Sequence, residues 1–403
     1  MKRMIGVVMA GGRGGRLYSL TNQRAKPAVF FGGKYRIIDF IMNSFVNSGI
    51  GNIIVLTQYL SQSINDHMSH FWISNPLYGQ YINTVNPQYK TEFNVRYEHT
   101  ADSVYQNMDR INCGDFDTVA IFAGDHIVKI DVRQVKAYHE SKEADFTVIA
   151  VPVPVSEASG AFGVIEVDEE SRIIGFVEKP LKPKEIPGRP GWCFASMGNY
   201  LADVKYLQDI LYLDAKNKAS SHDFGHDIIS LILKKGDKIY AYDFSLNKVS
   251  GQKLIYWRDV GSTRAFWEAN MELKDPSPAF SLYGKDWPLR SVPDSTPPAK
   301  ITLGGEFKDS LISGGCIISG GSVRDSVLSP NVFVDKNAEV SECVLFPNVV
   351  IGEGARLRMV IVDEGVTIPS GVSIGFDREE DERRGFTVKD EPEILVVPKH
   401  YVF

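Results

Sequence analysis

The chain has little cysteine: Cys113, Cys193, Cys316 and Cys343 are the only four in 403 residues, and no two form a Cys-x-x-Cys pair. That argues against a disulfide scaffold and against a structural zinc site, so reduced thiols of a cytoplasmic protein are expected. Long apolar runs are missing as well. None approaches the roughly 20 residues needed to cross a bilayer, and the first strand-like run begins at Ile5, which leaves no room for a signal peptide. Nor is there an excess of positive charge: 44 Lys and Arg against 50 Asp and Glu give a net charge of −6. A general nucleic-acid binder and a polybasic membrane anchor are both argued against. What remains is ordinary globular composition, 43% hydrophobic and 23% charged, over a length that exceeds one typical core and points to two domains.

The first organising feature is a glycine-rich turn, Ala10-Gly11-Gly12-Arg13-Gly14-Gly15-Arg16-Leu17, which follows the apolar run Ile5–Met9. A buried strand that stops abruptly at glycines leaves exposed N–H groups in a nest suited to phosphate, and the two arginines add charge there. Read alone, the turn is equally an ordinary strand-to-loop connection. Further apolar runs follow at Ile53–Thr57, Val119–Ala123 and Phe146–Val151, with a helical pattern over Ile37–Val46 that puts Ile37, Ile38, Ile41 and Phe45 on one side. Continuous rather than alternating runs fit strands covered on both faces, and their succession with helices predicts a doubly wound α/β sheet. Ligands in such sheets sit beyond the carboxyl ends of the strands, where the turn and Asp125 would both lie.

Six prolines fall between Asp275 and Lys300, which reads as a stiff linker. Past it, Ile312 and Ile318 stand six residues apart, as do Leu328, Val334, Val340 and Phe346, then Ile351 and Leu357, then Val362, Ile368 and Ile374. One inward aliphatic residue in six is the pattern of a parallel β-helix of hexapeptides; the alternative is a β-sandwich with coincidental spacing. The expected division is 1–274 catalytic, 275–300 linker and 301–403 β-helix.

Several polar groups accompany the turn. Arg24 and Lys26 can meet phosphates held by it, or can belong to a solvated basic turn. Asp125, at the end of the third run, and Asp259, in Tyr256-Trp257-Arg258-Asp259-Val260-Gly261, are candidate Mg²⁺ ligands. For Asp125 a helix N-cap is the plainer role. Lys179 after Glu178 can neutralise a phosphate monoester while the glutamate accepts from hydroxyls, although Glu-Lys pairs are common on surfaces. Ser221-His222-Asp223-Phe224-Gly225 precedes a helix expected from near Asp227, so capping is its plainer role. No Gly-x-Ser-x-Gly accompanies it, and no serine triad is read here.

The phrases Gly11-Gly12-Arg13-Gly14, Lys26-Pro27-Ala28, Phe31-Gly32-Gly33-Lys34-Tyr35-Arg36-Ile37-Ile38-Asp39-Phe40, Gly124-Asp125-His126, Phe176-Val177-Glu178-Lys179-Pro180, Ser221–Gly225 and Tyr256–Gly261 together resemble the glucose-1-phosphate adenylyltransferases, also called ADP-glucose pyrophosphorylases. The likeness runs through nearly the whole chain. It implies a Rossmann-like nucleotidyltransferase domain followed by a left-handed parallel β-helix, and adenylyl transfer from ATP to glucose 1-phosphate for glycogen or a related α-glucan. Carried over by position, Gly11, Gly12, Arg13, Gly14, Arg16, Gln88, Tyr97 and Asp102 would bind nucleotide, with Arg13 and Lys26 catalytic. Gly163, Glu178, Lys179, Ser196 and Asp223 would bind glucose 1-phosphate, and Asp125 and Asp259 would hold Mg²⁺. The resemblance further implies a homotetramer with a small-molecule allosteric effector.

The chain departs from the family's pattern in four places. Gly15 replaces a threonine after the turn, Val85-Asn86-Pro87-Gln88 stands for Leu-Pro-Ala-Gln, and His99 replaces the glycine of Gly-Thr-Ala-Asp. Gln23 stands where bacterial relatives carry a lysine associated with sugar-bisphosphate activation. The first three touch the nucleotide end, so another base or sugar phosphate stays open, as does a non-catalytic regulatory subunit.

Overall fold

In the computed structural model, which describes residues 3–75, 79–88, 96–252, 254–293, 295–386 and 394–403, the first apolar run is strand β1 (Met4–Ala10). It is followed by β2 (Asn52–Thr57), β3 (Tyr81–Val85), β4 (Thr118–Ala123), β5 (Phe146–Pro154), β6 (Gly163–Val167), β7 (Ile173–Glu178), β8 (Trp192–Asp203) and β9 (Ile239–Asp243), all in one nine-stranded sheet. Alternate side chains enter opposite layers: Val7, Ile54 and Ile121 join one buried cluster, while Val8, Val55 and Phe122 join the other. That two-sided burial is why these runs are apolar throughout. The helix Ile37–Asn47 covers one face, close to the expected bounds.

The order along the sheet is β7-β6-β8-β4-β1-β2-β3, with β5 beside β8 and β9 beside β5. Strands β4, β1, β2 and β3 are mutually parallel. The long β8 runs antiparallel to β4, β5 and β6, so the sheet is parallel in one half and mixed in the other. A separate two-stranded ribbon pairs His126–Val128 with Trp257–Asp259, antiparallel, placing Asp259 opposite His126.

The C-terminal part is a parallel β-helix of three five-stranded faces. Ile318, Val334, Ile351 and Ile368 stack on one face and Val323, Val340, Leu357 and Ile374 on the second. Leu328, Leu345, Val362 and Val397 stack on the third. The hexapeptide spacing is corrected at one point: Leu345, five residues after Val340, is the inward residue, and Phe346 is not. Phe346 instead turns outward onto the N-terminal part, where it packs with Phe30 and Phe266. One shared cluster contains Phe31, Phe40 and Phe266 together with Val344, Phe346 and Ile361, so the two parts bury apolar surface against each other. Beside it, Arg24 Nη1 lies 2.7 Å from Asp363 Oδ1, with both side chains almost completely buried.

The described residues between Asp275 and Lys300 form no helix or strand, but the segment is laid along the helix Ile37–Asn47. Asn43 exchanges hydrogen bonds of 2.8 Å with the Arg290 backbone in both directions. Ser291 Oγ donates to Asp39, whose buried carboxylate also accepts from His67, Trp72 and the Arg36 N–H. None of the four cysteines forms a disulfide, and only Cys113 is exposed. No helix among the described residues is long and apolar enough to cross a membrane.

Candidate active site

Strands β1 and β4 are neighbours, with Met9 in register with Ala123. Their carboxyl ends therefore deliver the glycine turn and Gly124-Asp125 to the same edge. Gly14 takes a left-handed φ of 61°, and a Cβ there would stand 2.7 Å from Lys26 Cβ. Only glycine lets the turn close against the lysine stem. Asp125 leads into the strand His126–Val128 rather than a helix, so the capping role does not apply. The ribbon brings Asp259 alongside it, although 134 positions separate them in the sequence. Lys26 Nζ lies 2.9 Å from Asp125 Oδ2 and 2.9 Å from Asp259 Oδ1. Arg16, largely exposed, comes within 3.7 Å of the other Asp259 oxygen.

This arrangement sets the charge states. Burial by itself would raise the Asp125 carboxyl, but the Lys26 ammonium and then His126 pull it well below the usual carboxylate range. Burial would likewise lower the Lys26 pKa, and Asp125 and Asp259 more than reverse that. The carboxylates and His126 can place one ligand atom each within 4.8 Å of one another. Two carboxylate oxygens at that spacing suit a hard divalent cation such as Mg²⁺, so the residues fit the metal.

A cavity of about 540 Å³ opens beside the glycine turn. Gly11, Gly12, Arg13, Gly14, Lys26 and Asp125 form one wall, and Gln58, Tyr97, Glu98, His99 and Thr100 the other. Tyr97, one of the nucleotide-site candidates, lines this cavity. Gln88 is exposed and does not line the cavity, and the residues directly after it lie outside the described ones. Asp102 does not line it either: its carboxylate accepts from the Glu98 N–H at 2.8 Å and from Gln106 at 2.7 Å, holding the wall loop. Burial pushes that carboxyl above the ordinary value, with those two donors opposing. Gln58 was not singled out from sequence. It exchanges hydrogen bonds with the Tyr97 backbone and follows β2, so the carboxyl-end rule applied to a second strand would have found it.

Of the residues expected around the sugar phosphate, Ser196, Glu178 and Asp223 come together at Tyr200. Tyr200, 4% exposed, hydrogen-bonds to Ser196 and stands in the field of Asp223 and Glu178; burial first, then Asp223, raises its pKa. A Cβ on Gly163 would stand 2.8 Å from Glu178 Oε2, so the glycine leaves the glutamate its place. Lys179 is exposed, with a left-handed φ of 48° that is strained for a lysine and turns the chain as β7 ends. Asp223 does cap, accepting from the Gly225 and His226 N–H groups, but it also accepts from Thr100 Oγ1 at 2.8 Å and approaches His99 at 3.3 Å. The segment 221–225 is thereby tied to His99 and Thr100 of the cavity lining, and a π-helical turn, Phe224–Ile228, precedes the helix Ile229–Lys235.

His222 completes that tie, with Nδ1 2.7 Å from Asp214 and Nε2 3.7 Å from Glu98. Burial opposes the charged ring, yet Asp214 and Glu98 prevail and its pKa stands above 6.5. A base whose pKa is higher folded than unfolded contributes fully below the unfolded value and loses that contribution as pH rises through the folded one. Denaturant midpoints between about pH 6 and pH 9 should therefore fall more steeply for the wild type than for His222→Asn. Parallel slopes would show that the clasp carries no proton linkage.

With this geometry established, the similarities to known proteins become interpretable. Residues 5–276 match the family model described as nucleotidyl transferase, and residues 297–397 match the one described as GlmU-like, C-terminal hexapeptide. A protein of Thermus thermophilus named glucose-1-phosphate adenylyltransferase is 47% identical, with 99% of each chain covered. One of that name from Deinococcus radiodurans is 44% identical over 100% of this chain and 99% of its own. Glucose-1-phosphate adenylyltransferase 1 of Vibrio parahaemolyticus is also 44% identical, covering 99% and 98%. At such identity over its full length, the chain belongs to the glucose-1-phosphate adenylyltransferase family of nucleotidyl transferases.

Proposed function

We propose that the protein transfers the adenylyl group of ATP to α-D-glucose 1-phosphate, releasing pyrophosphate and forming ADP-glucose for α-glucan synthesis. The observation that carries this reading is the meeting of Asp125, Asp259 and Lys26 at the mouth of the glycine turn. The N–H groups of the turn and Arg13 hold the triphosphate, and the wall of Gln58 and Tyr97 receives the base. Lys179 grips the phosphate of the sugar phosphate while Glu178 and Ser196 face its hydroxyls. A phosphate oxygen then attacks the α-phosphorus in line, that new P–O bond forms as the bond to pyrophosphate breaks, and no covalent protein intermediate is required. Mg²⁺ bound by Asp125 and Asp259 would supply neutralisation of the triphosphate charge. Lys26, pointing into the same space, stabilises the charge that develops on the transferring phosphoryl group.

Pyrophosphate release across ATP, UTP, GTP, CTP and dTTP, each with several sugar 1-phosphates, tests the assignment. Turnover confined to ATP with glucose 1-phosphate is expected. Preference for another base removes the ADP-glucose product, and silence throughout favours a regulatory subunit. Lys179→Gln should raise KM for the sugar phosphate about 10- to 100-fold, the worth of one charge-assisted contact, and leave the nucleotide KM nearly unchanged. Equal effects on both would move the lysine out of the sugar-phosphate site.

A second cavity, about 520 Å³, lies between the two parts of the chain and is lined by Gln23, Arg24, Lys34, Arg36, His67, Glu364 and Lys399 among others. Burial and then the adjacent Arg24 lower the Arg36 pKa, the mark of cations crowded together. That supports an anionic small-molecule effector at this place, while Gln23 lacks the lysine charge associated with sugar-bisphosphate activation and so argues against that effector class. A cytoplasmic homotetramer, with 1–274 catalytic, 275–300 linking and 301–403 assembling the subunits, completes the reading.

A further inference from the structure

Lys26 sits where both candidate metal ligands point. Its ammonium is 2.9 Å from each carboxylate, and its side chain is only 5% exposed. A divalent ion that takes the two oxygens Lys26 now contacts would compete with its ammonium for them. Two cations cannot share that space: at such separations their repulsion cancels what each gains from the carboxylates. The lysine backbone is fixed. Gly14 packs against the base of the side chain, the Ala25 N–H donates to Ser63 Oγ at 3.0 Å, and Pro27 follows. The terminal methylenes are the part free to swing, and the glycine turn, where triphosphate would lie, is what they would swing toward.

We propose that Lys26 and the divalent cation alternate between Asp125 and Asp259, so that the metal is taken up together with the nucleotide phosphates that draw the lysine away. The inference rests on the assignment of Asp125 and Asp259 as metal ligands. It makes Lys26 a placeholder that holds a positive charge between the two carboxylates and keeps them correctly spaced, and it couples metal binding to nucleotide binding without movement of the backbone.

The test is Mn²⁺ binding, read from the free-ion electron paramagnetic resonance signal, with and without α,β-methylene-ATP. In the wild type the analogue should tighten Mn²⁺ at least about tenfold. Lys26→Met should tighten Mn²⁺ about tenfold or more in the absence of nucleotide, and should shrink the gain that the analogue brings. Unchanged or weaker nucleotide-free binding in Lys26→Met overturns the exchange while leaving the metal site intact. Equal wild-type affinity with and without the analogue overturns it without recourse to a variant. If Asp125→Asn binds Mn²⁺ as well as the wild type does, the metal assignment fails and the exchange with it.

Discussion

Asp125→Asn should lower Mg²⁺-dependent turnover by about a thousandfold or more, since the charge stabilisation lost is several kcal/mol. The fold should survive. Asp125 closes β4 at the sheet edge, the amide is isosteric with the carboxylate, and Lys26 keeps Asp259 as a partner at 2.9 Å. Circular dichroism and the denaturant midpoint should thus stay close to wild type while pyrophosphate release disappears. Near-normal turnover would remove Asp125 from the metal pair. A collapse in stability would show that its contact with Lys26 matters first for folding.

The second large effect belongs to stability. Arg24→Met leaves Asp363 buried without its guanidinium, a loss expected to cost about 3–5 kcal/mol of unfolding free energy. Burial already raises the Asp363 carboxyl above its ordinary value, with Arg24 opposing. Without that opposition the folded-state pKa rises further. A carboxyl with a higher pKa folded than unfolded binds a proton preferentially in the native state, so the variant should lose stability as pH rises through that value. The deficit relative to wild type is therefore greatest near neutrality and smaller in acid. Asp363→Asn added to Arg24→Met should recover much of it, because the uncompensated charge is gone. Equal stability of Arg24→Met and wild type at pH 7 would show that the 2.7 Å pair does not hold the two parts together.

The elements closest to the chemistry were also the most legible in sequence. Four glycines and two arginines after an apolar run offer a phosphate-sized nest, and it was the accompanying Lys26, Asp125 and Asp259 that set this turn apart from an ordinary strand-to-loop connection. Apolar runs marked β1, β2, β4 and β5, but not their directions. Buried strands read alike whether parallel or antiparallel, and so the antiparallel course of β8 was invisible. Phe346 fitted the six-residue spacing and yet faces the other part of the chain. A count of aliphatic positions does not register a coil corner shortened by one residue.

By itself, the sequence determined which groups are available: a glycine-rich turn with two arginines, two aspartates, Lys26 and Lys179, and a β-helix repeat. Their reasons are local, residing in backbone freedom, charge and periodicity. Only the tertiary structure decided which of these groups meet. The pairing of Asp259 with His126 across a ribbon, the gathering of Ser196, Glu178 and Asp223 around Tyr200, and the place of Lys26 between two carboxylates are all long-range contacts. Sheet register and core packing fix such contacts, and no short stretch of sequence encodes them.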